Sequence, residues 1–420
     1  MRDLVLLIII GGGSLYALRQ PWVGAIVWTW VSLMSPHVQW GYAAAGWPVA
    51  TGVALTTMTG LFFTKDKQSP FVGGVPVGML LAFVAWVSIT LPPSFYPDDS
   101  YPLWVRSMKI YLMLFVTLAL ITDRRKLDWF IWINVISIGF YGLKGGVFTI
   151  LSGGSFMVWG PGGFIEGNNE IALAVIAVIP LMRYLQLQMT HKRARQAMGL
   201  VMGLSVVMAL GTYSRGALVG LIAMGTYFWV KSDKKVQWGL AIAVVGAAAL
   251  SVMPDQWWAR MDTINTYQTD SSAMGRINAW WMAFNLAKDN FFGGGFSVWT
   301  AQLFERYAPN PADVHAAHSI YFQVLGEHGF IGLALFLLIG ISTWVAAAML
   351  IRAARFDPAN KWAADLGAMV QVSMIGYGAA GAFLSLAYFD LPYNVMAMVV
   401  LARYFLQKRA TTGQIQPAMR

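Results

Sequence analysis

The chain has 420 residues, of which 57% are hydrophobic and only 11% are charged, and its formal net charge is +10. A soluble core of this size could not bury so much apolar surface, which excludes a water-soluble globular protein. The absence of cysteine excludes disulfides, iron–sulfur ligation and thiol catalysis. The composition therefore predicts a membrane protein.

Apolar runs follow one another along most of the chain. A spanning helix needs about 20 predominantly apolar residues, and we predict an all-α polytopic membrane protein with about 12, or alternatively 13, transmembrane helices. The first run lacks a small-residue cleavage site and is followed at once by another, so we interpret it as a retained segment rather than a signal peptide. The predicted spans are two short runs, 4–18 and 21–36, followed by 43–63, 71–91, 104–121, 127–150, 169–189, 196–211, 214–230, 236–252, 329–351, 364–387 and 391–406.

Positive charges mark every second connection between these runs. Lys and Arg concentrate in cytoplasmic loops of membrane proteins, so this pattern predicts sidedness and no nucleic-acid partner. The stretch 253–328 is then predicted to lie outside and the C-terminus inside. The N-terminus lies outside if both short runs span, and inside if they form a hairpin. The basic residues in question are Lys65, Lys67, Arg124, Arg125, Lys126, Lys192, Arg193, Arg195, Lys231, Lys234, Lys235, Arg352, Arg355, Lys361, Lys408 and Arg409.

We predict a single membrane domain over 1–420, with 253–328 inserted between spans as a large outer loop. Capping serines at Ser271 and Ser272 predict the start of a helix that lies on the membrane surface. Ile277, Trp281 and Phe284 share one face of this helix, and Trp280 and Trp281 are predicted to anchor it at headgroup depth. Glycines in Asn290–Phe296 permit a tight return. A second helix is predicted from Pro311–Asp313, through His315 and His318, to Gly326.

Histidines cluster in this loop at His315, His318 and His328. The spacing of the first two residues suits two metal ligands on one helix face, so a metal site is one alternative. However, no nearby carboxylate or cysteine completes a ligand set. The chain also lacks the D-x-D motif with which many sugar-nucleotide transferases hold a divalent ion. We therefore predict a mechanism that uses no metal and no other cofactor.

Several segments between about 165 and 335 resemble, as an ordered set, the O-antigen ligase and O-antigen polymerase superfamily. The opening Met1–Asp3 and Trp28–Trp30 further resemble a subgroup of O-glycosylation ligases associated with exosortase systems. Family members often carry Asn after the histidine, where this chain has Ser319, and both residues can form hydrogen bonds. The segments that carry the resemblance are Gly163–Glu170, Gly211–Ala217, Gly275-Arg276 with Trp281, Ala317-His318-Ser319 with Tyr321, and Gly326–Gly329.

The resemblance implies a glycosyltransferase of the multi-span type C class in the bacterial inner membrane, with its active site facing the periplasm. Such an enzyme takes a glycan from undecaprenyl pyrophosphate and passes it to an acceptor hydroxyl. For a ligase the acceptor is the lipid A core oligosaccharide, and for a polymerase it is another lipid-linked glycan. A protein O-glycosylation ligase would use a protein acceptor instead.

The leaving group of a lipid pyrophosphate donor is an anion at the membrane surface. Cations and backbone N–H groups are therefore expected to bind it there. Arg215 fits, because Ser214 would cap a span whose N-terminus points outward and the helix dipole would add to the guanidinium. Arg276 in the loop is the second candidate. The alternative for Arg215 is an interfacial arginine that only reaches lipid headgroups, and for Arg276 it is a solvated loop charge.

Transfer also needs a base for the attacking hydroxyl, and an imidazole suits this task near neutral pH. We choose His318, and because no nucleophile for a double displacement is evident we expect inversion. Arg106 and Lys109 lie early in an outward-starting span and either line the pyrophosphate route or reach headgroups. Tyr321 either stacks on a sugar or only packs. From another functional class, a transporter of lipid-linked glycan is the main alternative, although we see neither repeated halves nor a need for so large a loop.

Overall fold

The computed structural model describes residues 2–40, 46–262, 268 and 270–412, and all regular structure within them is helical. The helices are α1 (Arg2–Ala17), α2 (Pro21–Met34), α3 (Pro36–Trp40), α4 (Val49–Phe63), α5 (Val75–Ile89), α6 (Pro97–Leu120), α7 (Arg124–Leu151), α8 (Asn168–Gln188), α9 (Lys192–Gly211), α10 (Arg215–Lys231), α11 (Lys235–Leu250), α12 (Asp255–Asp262), α13 (Ser271–Asp289), α14 (Ala301–Tyr307), α15 (Ile320–Ala354), α16 (Lys361–Gly381) and α17 (Asp390–Thr412).

Each predicted apolar run coincides with one of these helices, although 43–45 lies outside the described residues. Among the described residues, five helices, α6, α7, α8, α9 and α15, are long and apolar enough to cross a membrane. The chain bends by 112° between α11 and α12, and a sixth crossing arises if these two helices count as one broken span. The prediction of an all-helical membrane protein is confirmed, whereas the number of 12 or 13 spans stays a prediction.

The outer surface of the helical body carries large apolar side chains that no protein group covers. Phe62, Leu151 and Val236 are each more than 80% exposed, which would be costly in water and is favourable in lipid. The opposite case is α8, whose apolar side chains are buried on all sides between α7, α9, α10 and α16. The core of this multi-pass membrane protein thus surrounds α8.

Connections on the same predicted side contact one another. At one end, the Phe95 N–H donates to the Gly294 carbonyl over 3.0 Å, and the Val158 N–H donates to the Gly211 carbonyl over 2.9 Å. At the other end, Lys126 pairs with Asp66 over 2.5 Å. These contacts gather the connections around 92–102, 152–168, 211–215 and 290–319 at one end, hereafter the site end.

The structure corrects the prediction for the second loop helix. Residues 308–318 are irregular, and the helix begins at Ile320, where the Ser319 hydroxyl accepts a bond from the Phe322 N–H. His318 adopts φ +43°, a left-handed conformation that cannot continue a right-handed helix. The predicted helix therefore starts several residues too early, and His315 and His318 do not share a helix face.

The first loop helix, α13, is confirmed, but its cap is not a serine. Asp270 is the N-cap, and its carboxylate accepts a bond from the Ala273 N–H over 2.7 Å. The Trp280 ring stacks on Phe322 at 5.0 Å, and its predicted role as a headgroup anchor stays a prediction. Gly293 and Gly295, with positive φ angles, make the predicted tight return. α12 and α14 were not predicted, because both are too short to show a clear period.

Candidate active site

Arg215 is the first residue of α10, at the site end. The Ser214 hydroxyl accepts a bond from the Ala217 N–H over 3.2 Å, so the predicted cap is present. Ser214 itself is buried. Tyr213 adopts φ +58°, which is uncommon for a residue with a large side chain, and this turn directs the chain from α9 into α10. Backbone and cap together determine where the Arg215 side chain begins.

The guanidinium of Arg215 forms a two-pronged ion pair with Asp270. The two N–O distances are 3.0 and 3.1 Å, and both side chains are mostly buried. Asp270 therefore caps α13 and holds Arg215 at once. Paired forks of this kind are directional as well as strong, so the pair orients Arg215 toward the start of α13.

Arg276 lies one turn and a half into α13. Burial lowers the pKa of Arg276, and the positive charges of Arg215 and Arg260 lower it further, while Asp270 and Glu170 act in the opposite direction. Its Nε is buried and has no hydrogen-bond partner among the described residues. Three arginines thus concentrate positive charge around the Asp270 turn.

Arg260 and Asp270 are functional candidates that the sequence reasoning missed. Arg260 comes from α12 and donates through Nε to the Tyr213 carbonyl over 3.1 Å, which fixes the turn before Arg215. Asp270 directly precedes Ser271 and Ser272, and the strong preference of Asp for N-cap positions was the signal that could have identified it. For Arg260 the sequence offers no comparable signal.

The segment that carries His318 is fixed against α13. Asn278 donates to the carbonyls of Asn310 and Asp313 over 2.8 and 2.9 Å, and Trp280 donates to the Ala317 carbonyl over 2.7 Å. Gly275 allows a close approach here, because a Cβ at that position would lie 2.7 Å from the His315 ring as placed. These contacts bring His318 beside the helix that bears Arg276.

The environment of His318 keeps its imidazole neutral. Burial lowers the pKa of His318 to about 4, and the positive charges of Arg276 and His315 add to this effect. At neutral pH the ring is therefore unprotonated and can accept a proton. Its Nδ1 is buried without a hydrogen-bond partner in the described part of the chain.

The other two loop histidines have different surroundings. His315 Nδ1 lies 2.8 Å from an Asp313 carboxylate oxygen and is partly exposed. His328 is fully buried in α15, with its Nδ1 2.8 Å from the Thr90 hydroxyl. Over the described residues, no group of three His, Asp or Glu side chains could hold a metal ion. The metal-free mechanism stays a prediction.

The structure separates Arg106 and Tyr321 from this cluster. Arg106, together with Lys109, lines an open cleft between α2, α4 and α6, with its guanidinium 3.6 Å from the centre of the Phe164 ring. Tyr321 donates to the Gly378 carbonyl over 2.9 Å and lines a second, apolar cavity of about 430 Å³ between α15, α16 and α17. Within the described part of the chain, neither side chain forms a hydrogen bond, ion pair or ring contact with His318. The roles predicted for Arg106 and Tyr321 stay predictions.

Comparison with known families divides the chain in two. Residues 200–337 match the model of a family described as O-antigen ligase, which covers α10, the outer loop and His318. Residues 1–190 match a family of unknown function, DUF5935, which covers Arg106, Lys109 and the rest of the cleft lining except Phe389. No curated protein matches this chain.

Proposed function

We infer that this chain, which carries a domain of the O-antigen ligase superfamily at residues 200–337, is an O-antigen ligase. It transfers a glycan from undecaprenyl pyrophosphate to a hydroxyl of the lipid A core oligosaccharide. The observation that carries this proposal is that the segment bearing His318 is bonded to α13, the helix that bears Arg276, and that burial and Arg276 lower the pKa of the imidazole. A proton acceptor next to an anion site is the combination that transfer from a pyrophosphate donor needs.

The arginines are assigned to the donor. Arg215 and Arg276 bind the pyrophosphate oxygens, and the N-terminus of α10 adds its dipole and free N–H groups. Arg215 reaches the phosphate by exchanging its Asp270 partner for the anion, which offers the same two-oxygen geometry. Arg260 supports this arrangement by holding the Tyr213 turn.

In the transfer step, the acceptor hydroxyl attacks the anomeric carbon as its proton passes to the imidazole of His318. The bond between that carbon and the pyrophosphate oxygen breaks, and undecaprenyl pyrophosphate leaves with the electron pair and the negative charge. The arginines stabilise that charge as it develops. A single displacement inverts the anomeric centre, and linkage analysis of product against donor tests this outcome.

The apolar cavity beside Tyr321 is assigned to the prenyl chain of the donor. Its walls come from α15, α16 and α17 and are largely apolar, with Ile320, Phe336 and Trp344 among them. Ile320 directly follows Ser319, so the cavity adjoins the segment that carries His318. We assign Tyr321 to the lipid part of the substrate rather than to its sugar.

We place the site end in the periplasm and the protein in the bacterial inner membrane, as one membrane domain of 12 or 13 spans. The positive charges in the connections at the opposite end support this orientation. Helices shorter than about 20 residues, such as α2, α4 and α5, would then cross a bilayer that is locally thinned, or would cross it while packed against neighbouring helices.

A reconstituted assay tests the function. The full chain in proteoliposomes receives a lipid-linked glycan with one of three acceptors: lipid A core, a second lipid-linked glycan, or a protein acceptor. We expect product on lipid A core. Lengthened lipid-linked glycan would identify a polymerase, and sugar on protein would identify a protein O-glycosylation ligase. Glycan that crosses the bilayer unchanged would identify a transporter and overturn the proposal.

A further inference from the structure

The Arg106 cleft is a second cationic site at the same end of the protein as His318. It has a volume of about 370 Å³ and lies between α2, α4, α6 and the segment 162–165. Arg106 and Lys109 are one turn apart on α6, so both side chains can face the cleft together. The cleft thus places two positive charges next to apolar side chains of α2, α4 and α6.

The two cations of the cleft differ from Arg215 in their partners. Neither Arg106 nor Lys109 makes a salt bridge or hydrogen bond within the described part of the chain, in contrast to Arg215. Among the described residues, the carboxylate whose charge acts on Arg106 is Asp390, and its Oδ1 accepts a 2.7 Å bond from the Ser32 hydroxyl. One buried carboxylate cannot balance two cations, so the cleft keeps a net positive charge toward an incoming ligand.

The lining of the cleft changes from polar to apolar. Ser35, His37 and the backbone of Gly162 and Gly163 accompany the cations. The remaining wall is apolar and comes from α2, α4 and α6; it includes Trp28, Val31, Ala54, Leu55, Met58 and Met113. A free phosphate ion would use only the polar part. The whole cleft suits an anionic amphiphile, with its phosphate at the cations and its chains along the apolar wall.

One short segment joins this cleft to the donor site. Phe164 packs against Arg106 in the cleft. Four residues later, the Asn168 side chain donates to the Thr212 carbonyl over 2.8 Å, at the turn before Arg215. The negative charge of Glu170 also raises the pKa of Arg276. A ligand in the cleft therefore lies next to the segment that borders the proposed transfer site.

Transfer between two lipid-anchored substrates requires two lipid sites, and the Arg215–Arg276 cluster is already assigned to the pyrophosphate of the donor. We propose that the Arg106 cleft binds the phosphate-bearing lipid anchor of the acceptor, with the phosphate between Arg106 and Lys109. This inference rests on the proposed function. It assigns Arg106 to the acceptor rather than to the pyrophosphate route.

A kinetic comparison of two acceptors tests the inference. The first acceptor is purified lipid A core that lacks O antigen, and the second is the same lipid after enzymatic removal of its lipid A phosphates. With the first acceptor, the double variant R106Q/K109Q is expected to raise the acceptor KM about tenfold or more, the usual size of lost charge-assisted bonds. The donor KM stays unchanged. With the second acceptor, wild type and double variant are expected to have equal KM values.

Controls separate this inference from other sources of the effect. Arg125→Gln removes an exposed cation at the opposite end and should leave both KM values unchanged. A raised donor KM in R106Q/K109Q would assign the cleft to the donor and overturn the inference. An unchanged acceptor KM, together with lost phosphatidylglycerol binding in native mass spectrometry, would identify a bilayer-phospholipid site and also overturn it.

A binding measurement keeps this inference distinguishable from the proposed function. His318→Ala blocks transfer but leaves the cleft intact, so native mass spectrometry of this variant measures acceptor binding without turnover. We expect phosphorylated lipid A core to bind, and binding to be lost when R106Q/K109Q is added. If binding persists after both cations are removed, the inference fails even where transfer activity is real. If the wild-type protein transfers no glycan, the proposed function fails instead.

Discussion

Two cationic regions lie at the same end of this protein and differ in what surrounds the charge. In the first region, Arg215 is paired with Asp270 at 3.0 Å, the charges of both act on the partly buried Arg276, and Arg276 in turn acts on His318. In the second region, Arg106 and Lys109 face an open cleft with an apolar wall. In the first region a carboxylate holds the arginine in place. In the second region the cations face a cleft that a ligand can enter.

This difference indicates two kinds of anion recognition. A paired arginine has its geometry set in advance but must exchange its partner, which suits a doubly charged group that binds in one orientation. A cation beside an apolar wall binds less directionally, and the apolar contact supplies much of the free energy. Four variants or conditions can separate the two regions, in order of the expected effect.

The largest effect is expected from His318→Ala. General-base assistance is worth on the order of 10²- to 10⁴-fold, so kcat should fall by that factor in the reconstituted ligation assay. The position is in an irregular segment, and a thermal unfolding midpoint close to wild type should show that the protein still folds. His191→Ala, at the exposed start of α9, is the matched control. Full activity of His318→Ala would remove this residue from the mechanism.

A smaller loss is expected from Arg215→Lys, which keeps the charge but not the planar fork. Lysine cannot bind two phosphate oxygens in the bidentate manner of arginine. We expect kcat/KM for the donor to fall roughly 10- to 100-fold, the range of a charge-assisted bond. Arg193→Lys at the opposite end serves as control. Unchanged kcat/KM in Arg215→Lys would mean that only the charge matters and that the two regions bind anions alike.

The pH dependence of kcat/KM tests the burial of His318. Its pKa of about 4 lies below the ordinary value because burial and Arg276 disfavour the protonated ring. The reactive neutral form therefore dominates above that pH, and activity is expected to stay level from about pH 8 to pH 5 and to be halved near pH 4. The acidic limb should be absent from the residual activity of His318→Ala. A midpoint near the ordinary histidine pKa of about 6.5 would contradict a buried base.

The smallest effect is expected from Asp270→Asn. Asparagine caps a helix about as well as aspartate, so α13 should remain intact. Without the carboxylate, Arg215 no longer exchanges an anionic partner for the donor, and we expect the donor KM to fall about threefold. The acceptor KM should not change, because Arg106 lies in the other region. A raised donor KM would show instead that Asp270 mainly positions Arg215.

Much of the fold could be predicted because the bilayer imposes a simple rule on sequence. Apolar runs of sufficient length become helices, and every predicted run in the described part of the chain coincides with one. The outer loop followed no such rule. Its helix start at 311–313 was wrong because Asn278 and Trp280, more than 30 residues away in the sequence, hold residues 310–317 in an irregular path.

For the site, the sequence indicated which residue types to expect and the tertiary structure decided which of them meet. Ser214 and Arg215 were predictable, since a cap and the first turn of a helix are local features. The pairing of Arg215 with Asp270 was not, because it joins two helices across a loop. Arg106 and Tyr321 were grouped with His318 in the prediction, and the structure places each in a separate cavity.

By itself the sequence determined that this is a helical membrane protein with a histidine-bearing loop, because hydrophobicity and periodicity act locally along the chain. Only the tertiary structure decided that Arg260 and Asp270 join Arg215, that burial lowers the pKa of His318, and that Arg106 lines a cleft of its own. These properties depend on burial and on charges brought together from distant segments. Both arise from packing, which no single stretch of the sequence encodes.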